Sequence, residues 1–66
     1  MLLKVLEILS SSTTSWEDAA QQAVQEASKT VRGIRSVNVQ NFSATVEDGA
    51  IKEYRLNCKV TFEIEN

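Results

Sequence analysis

The side chains able to do chemistry in this chain are few, and one type is missing altogether. Histidine is absent, so neither a Ser-His-Asp nor a Cys-His nucleophile pair can form within one chain. A neutral-pH imidazole acid or base is absent too. Carboxylates are available at Glu7, Glu53, Glu63 and Glu65, but no spacing among them implies a catalytic pair sharing one pocket. The hydroxyl run Ser10-Ser11-Ser12-Thr13-Thr14-Ser15 has no base beside it and reads as a loop and a helix cap. Cys58 lies between Leu56 and Val60 at an apolar alternation position, so it reads as an inert core thiol rather than a nucleophile. One cysteine without histidine gives neither a disulfide nor the usual zinc site. These absences point away from an enzyme. For a hard cation, the only adjacent acidic pair in a turn is Glu47-Asp48. A single subunit offers too few oxygens around it, so copies related by symmetry would have to converge.

The elements that must hold these residues read in the order β-α-β-β. Residues 2–9 are short and rich in β-formers, and are expected as a first strand. Thr14 precedes Glu17 by three residues, the spacing of a capping box. A helix is expected from Ser15 to Arg32, with Trp16, Ala20, Ala23, Val24, Ala27 and Val31 on one apolar stripe. Trp16 is thereby expected in the core. Glu17 and Asp18 in the first turn, and Lys29 and Arg32 in the last, suit the helix dipole. Gly33 is expected as the stop. Val37 and Val39 are odd, whereas Phe42, Ala44 and Val46 are even; a bulge near Gln40 or Asn41 would keep them on one face. Glu47-Asp48-Gly49-Ala50 is a hairpin turn. The last strand is apolar at every even position from Tyr54 to Ile64 and polar at every odd one from Glu53 to Glu65. It is a strand buried on one face.

Such a fold cannot close on itself. A chain of 66 residues builds a small core, and neither a disulfide nor a metal supports it. Two strands of about 14 residues reach ~46 Å, while an 18-residue helix covers only ~27 Å. The uncovered apolar ends and the sheet edges require further copies of the chain. The balance of 7 basic against 9 acidic residues, a net charge of −2, argues against a nucleic-acid partner. No signal peptide or membrane span is recognisable, and no repeat or linker divides residues 1–66. The expectation is a single α+β domain in the cytoplasm with a reduced thiol.

The motifs K-V-L-E-I (Lys4–Ile8), T-S-W-E-D-A (Thr14–Ala19), A-S-K-T-V-R (Ala27–Arg32), V-E-D-G (Val46–Gly49) and E-Y-R (Glu53–Arg55) occur in this order along nearly the whole chain. In that arrangement the sequence resembles the dodecins. The resemblance implies a three-stranded antiparallel sheet partly wrapped around one helix, assembled as a hollow homododecamer that binds a small ligand. It also implies a flavin pocket, with a stacking tryptophan at position 36 and a glutamine at position 55. Here those positions hold Ser36 and Arg55. Serine has no π face, and arginine donates hydrogen bonds without accepting them. Stacking of FMN or riboflavin is therefore not expected. The pattern is similar to the branch of the family that lacks the tryptophan, which includes a calcium dodecin. A non-enzymatic ligand-storage shell is the expectation. A calcium-binding or purely structural shell is the alternative, and the ligand's identity is left open.

Overall fold

A computed structural model describes residues 1–64. The elements run β1 (Leu2–Ser12), α1 (Trp16–Ser28), β2 (Ile34–Glu47) and β3 (Ala50–Ile64). They form one antiparallel sheet in the order β1-β3-β2, with α1 lying across one face. That order makes β3 the central strand, and its period-two alternation buries one of its faces. Its even side chains Leu56, Cys58 and Val60 are buried, as are Ala19, Ala23 and Ala27 of the helix. The small helix residues let the sheet approach closely.

Register explains which residues share this buried face. Ile8 and Val39 flank Cys58, Leu6 and Val37 flank Val60, and Ser10 and Phe42 flank Leu56. A register shift between Val39 and Asn41 is the expected bulge. It carries Phe42 and Ala44 to the helix side together with Val37 and Val39. The turn is also as expected. Asp48 at φ 53° and Gly49 at φ 79° both occupy the left-handed region that a two-residue hairpin turn requires.

Three boundaries differ from the sequence reading. β1 continues through Ser10, Ser11 and Ser12, which pair with Leu56, Arg55 and Tyr54. The backbone ladder outweighs the turn preference of serine there, and two of the hydroxyls turn inward to useful partners. Ser10 Oγ donates to the Ala19 carbonyl at 2.8 Å. Ser12, only 5% exposed, donates to Asp18 Oδ2 at 2.6 Å and accepts from the N–H groups of Thr14 and Ser15. The cap is Ser15 rather than Thr14, because Ser15 Oγ accepts from the Asp18 N–H at 3.0 Å. It satisfies one of the unpaired donors of the first turn. The helix ends at Ser28, so Lys29 and Arg32 lie beyond its last turn. Bonds from Thr30 and Val31 to the Ala27 carbonyl close it. Gly33, at φ +73°, does not stop the helix. Its positive φ lets the chain turn into β2, and its carbonyl accepts from the Glu63 N–H at 2.9 Å.

The helix has 13 residues and β3 has 15. At ~1.5 Å per residue the helix is ~20 Å long, whereas the molecule is 51 Å long. The sheet outruns its cover. Leu2, Leu3, Val5, Leu6 and Leu9 of β1, with Phe42, Val46 and Ile51, remain exposed. No helix among the described residues is long and apolar enough to cross a membrane.

Candidate functional site

The face of the sheet turned away from the helix carries the chain's polar chemistry. Odd residues of β3 point to it: Glu53, Arg55, Asn57, Lys59, Thr61 and Glu63. Their cross-strand neighbours on β1 are Ser11 beside Arg55, Leu9 beside Asn57 and Glu7 beside Lys59. On β2 they are Thr45 beside Glu53, Ser43 beside Arg55, Asn41 beside Asn57 and Asn38 beside Lys59. A central-strand cation would ordinarily gain from an opposite charge directly across the ladder. Arg55 instead stands between two serines.

These residues enclose an open groove of about 400 Å³. Ser11, Asn41, Ser43, Glu53, Arg55 and Asn57 supply its polar lining, and Leu9 an apolar edge. Among the described residues the ion pairs are Glu26–Lys29, Arg35–Glu63 and Glu47–Lys52. Glu53 and Arg55 belong to none of them. The Oδ1 of Asn57 is buried in the groove wall without a hydrogen-bond donor among the described residues. Buried acceptors are nearly always satisfied, so this oxygen marks an unmet requirement. Among the described residues the groove thus offers a guanidinium and a carboxylate outside any ion pair, and an unsatisfied amide oxygen, along one strand.

The structure separates the two positions that the sequence reading paired. Ser36 lies opposite Thr61, whereas Arg55 lies opposite Ser43. Thr61 lies six positions beyond Arg55 on β3, ~20 Å along the strand. Both occupy the outer face, but one protomer does not bring them together. All four aromatic side chains sit on the helix side instead. Phe42 and Tyr54 share the parity of Leu56, Phe62 that of Val60, and Trp16 begins the helix. The outer face therefore has no ring on which a flat ligand would stack.

Trp16 is half-buried rather than a core residue. Its indole N–H donates to the Ser43 carbonyl at 3.0 Å, and its ring meets Tyr54 and Phe42 edge-on at 4.8 and 5.9 Å. A polar edge needs a partner when a ring is this far buried, which holds it at the sheet's margin. There it lines an apolar groove with Ala20, Val39, Phe42 and Leu56.

Glu47 and Asp48 occupy the hairpin tip. Glu47 Oε2 accepts from Lys52 Nζ at 2.8 Å, and Asp48 makes the turn itself. Among the described residues no three acidic or thiol side chains gather as a metal site would need. Glu63 is held by Arg35, Glu7 faces Lys59, and Glu65 lies outside the described residues. Cys58 is fully buried, and desolvation pushes its thiol above the ordinary cysteine value, which opposes thiolate chemistry. Sequence reasoning missed Ser11, Asn41, Ser43 and Asn57 as groove residues. The odd parity of β3 gives Asn57, but the other three depend on register across two strands.

The dodecin family model matches residues 2–65. Calcium dodecin of Mycobacterium tuberculosis is 38% identical over 61 residues, covering 92% of this chain and 86% of that protein. Its crystal structure, described as having a novel calcium-binding site, superposes with a TM-score of 0.84 over 98% of this chain and 93% of that one. An arginine-to-alanine mutant of Thermus thermophilus dodecin, 29% identical, superposes with a TM-score of 0.94 over 98% and 97% of the two chains.

Proposed function

The chain belongs to the dodecin family, and from that premise we propose that it is a non-enzymatic, cytoplasmic shell of twelve copies that binds a small ligand. The observation that carries the assembly is the uncovered β1. Leu3, Val5 and Leu9 line its outer face and Leu2 and Leu6 its helix face, each between 37% and 75% exposed. An edge strand apolar on both faces is unstable in water until another surface covers it. Burying such side chains contributes ~1.5–3 kcal/mol each.

The ligand site is the outer-face groove around Arg55. Stacked flavin is not its ligand, because Ser36 and the groove present no aromatic ring. Loss of a ring stack removes about 0.5–1.5 kcal/mol beyond the buried area. Arg55 also brings a fixed charge where a neutral edge would be read.

Calcium is the second reading, favoured by the likeness to calcium dodecin. Glu47 and Asp48 would bind it only where hairpin tips from several copies meet, and Lys52 would have to release Glu47. Native mass spectrometry of the protein as isolated tests the shell, with a mass of twelve chains expected and a monomer refuting it. Calorimetric titration with calcium tests the second reading. Absence of heat together with an unchanged melting temperature would eliminate it.

A further inference from the structure

The groove on the outer face has a charge order of its own. Along one face of β3 come a carboxylate at Glu53, a guanidinium at Arg55 and an amide oxygen at Asn57. Successive same-face positions are about 7 Å apart. The cross-strand neighbours of all three are neutral: Thr45 beside Glu53, Ser11 and Ser43 beside Arg55, Leu9 and Asn41 beside Asn57. Elsewhere on the same face Lys59 stands directly opposite Glu7, and Glu63 is paired with Arg35. Cross-strand charge pairing therefore accounts for the lower end of the strand but not for this one.

We propose that the groove binds a small zwitterion carrying a carboxylate and an ammonium. The carboxylate accepts from Arg55, and the ammonium, about 7 Å along the strand, donates to Glu53. Arginine presents a planar fork that fits a carboxylate. The ligand's two charges oppose the two fixed charges of the strand, so the complex is neutral within the groove. Ser11, Ser43 and Asn41 supply neutral hydrogen-bonding groups around the two charges. The groove's volume of about 400 Å³ is that of a small-molecule site.

This inference rests on the reading of the Arg55 groove as the ligand site, and the test separates the two. The assembled protein is titrated with glycine, β-alanine and γ-aminobutyrate, and with butyrate and butylammonium as single-charge probes. Side-chain NMR signals of Arg55 and Asn57 are followed. At least one zwitterion is expected to bind saturably, and at least tenfold more tightly than either single-charge probe. Glu53→Gln and Arg55→Gln are each expected to weaken it tenfold or more while the native mass of the shell stays unchanged. Butyrate binding as well as the zwitterions would overturn the proposal in favour of a carboxylate site. So would indifference to Glu53→Gln, or no saturable binding by any zwitterion. An intact shell that binds none of these probes overturns this inference alone. A chain that does not assemble overturns the shell reading.

Discussion

Val60 sits at the centre of β3 with Leu6 on one side and Val37 on the other, and its side chain is 0% exposed. Its neighbour Lys59 is an exposed residue of the opposite face. Replacing Val60 by alanine removes two carbons from a filled site. The transfer term is ~0.8 kcal/mol for each, or about 1.6 kcal/mol. The cavity left behind adds to it, because a sheet held by two flanking strands collapses only partly. The expected loss is about 2–3 kcal/mol per protomer. Lys59→Ala, one residue away, should change stability by no more than ~0.5 kcal/mol. Urea unfolding followed by Trp16 fluorescence measures both, since that ring contacts Tyr54 and Phe42. The variants must be compared at one protein concentration, because assembly makes stability concentration-dependent. Equal losses at the two positions would refute the face assignment. Val60→Asp should prevent folding and assembly together, since its cross-strand neighbours Leu6 and Val37 offer a buried carboxylate no partner. A soluble shell carrying that aspartate would refute the same reasoning.

Four other outcomes follow from particular residues. Ser12→Ala removes the acceptor for two backbone N–H groups and the donor to Asp18, and should cost about 1–2 kcal/mol in thermal or urea unfolding. The hydrogen bonds from Ser12 and then Gln22 hold the Asp18 carboxyl below its ordinary 3.8. Its contribution is therefore present above about that pH and fades as pH falls through the lower folded value. Asp18→Asn should flatten this acid limb of a melting-temperature profile, and an unchanged limb would refute the link. Gly33→Ala should destabilise more than Gly49→Ala. Both have positive φ, but only at Gly33 does a new Cβ meet backbone, 3.2 Å from the Glu63 carbonyl oxygen. Left-handed backbone alone costs about 1–2 kcal/mol. Finally, Ser36→Trp with Arg55→Gln should produce quenching of riboflavin fluorescence where the parent protein gives none. Continued absence would mean that the groove's shape, and not these two side chains alone, excludes the ring.

Much of the architecture was written in side-chain period. The strict alternation from Tyr54 to Ile64 fixed which face of β3 is buried, because a strand points successive side chains to opposite sides. The odd-to-even change between Val39 and Phe42 located the bulge for the same reason. Asp48-Gly49 gave the turn, since few other residues accept positive φ at both positions. The family motifs supplied the remainder of the fold. Local signals misplaced the ends of elements. Ser10 to Ser12 read as loop because serine favours turns and helix caps, and only pairing with β3 made it strand. The choice of Ser15 over Thr14 as cap depended on which hydroxyl the chain's entry angle aimed at the Asp18 N–H. The helix stopped at Ser28, although its apolar pattern ran on to Val31, because the Ala27 carbonyl accepted the closing bonds.

The site divides along the same line. The sequence by itself determined that the chain has no histidine and so no imidazole acid or base, it raised the expectation of further copies of the chain, and through the resemblance to the dodecins it raised the expectation that Ser36 and Arg55 replace a flavin pocket's ring and acceptor. The first depends only on residue type, whereas the last depends on the family motifs and their order. Tertiary structure decided what surrounds Arg55. Ser11, forty-four positions before it in the sequence, and Ser43, twelve before it, become its neighbours through the register of two different strand pairs. It also decided that Ser36 and Arg55 lie ~20 Å apart along the sheet in one protomer. Register is set by the sum of packing along a whole ladder, so no local pattern encodes which two side chains will face each other across it.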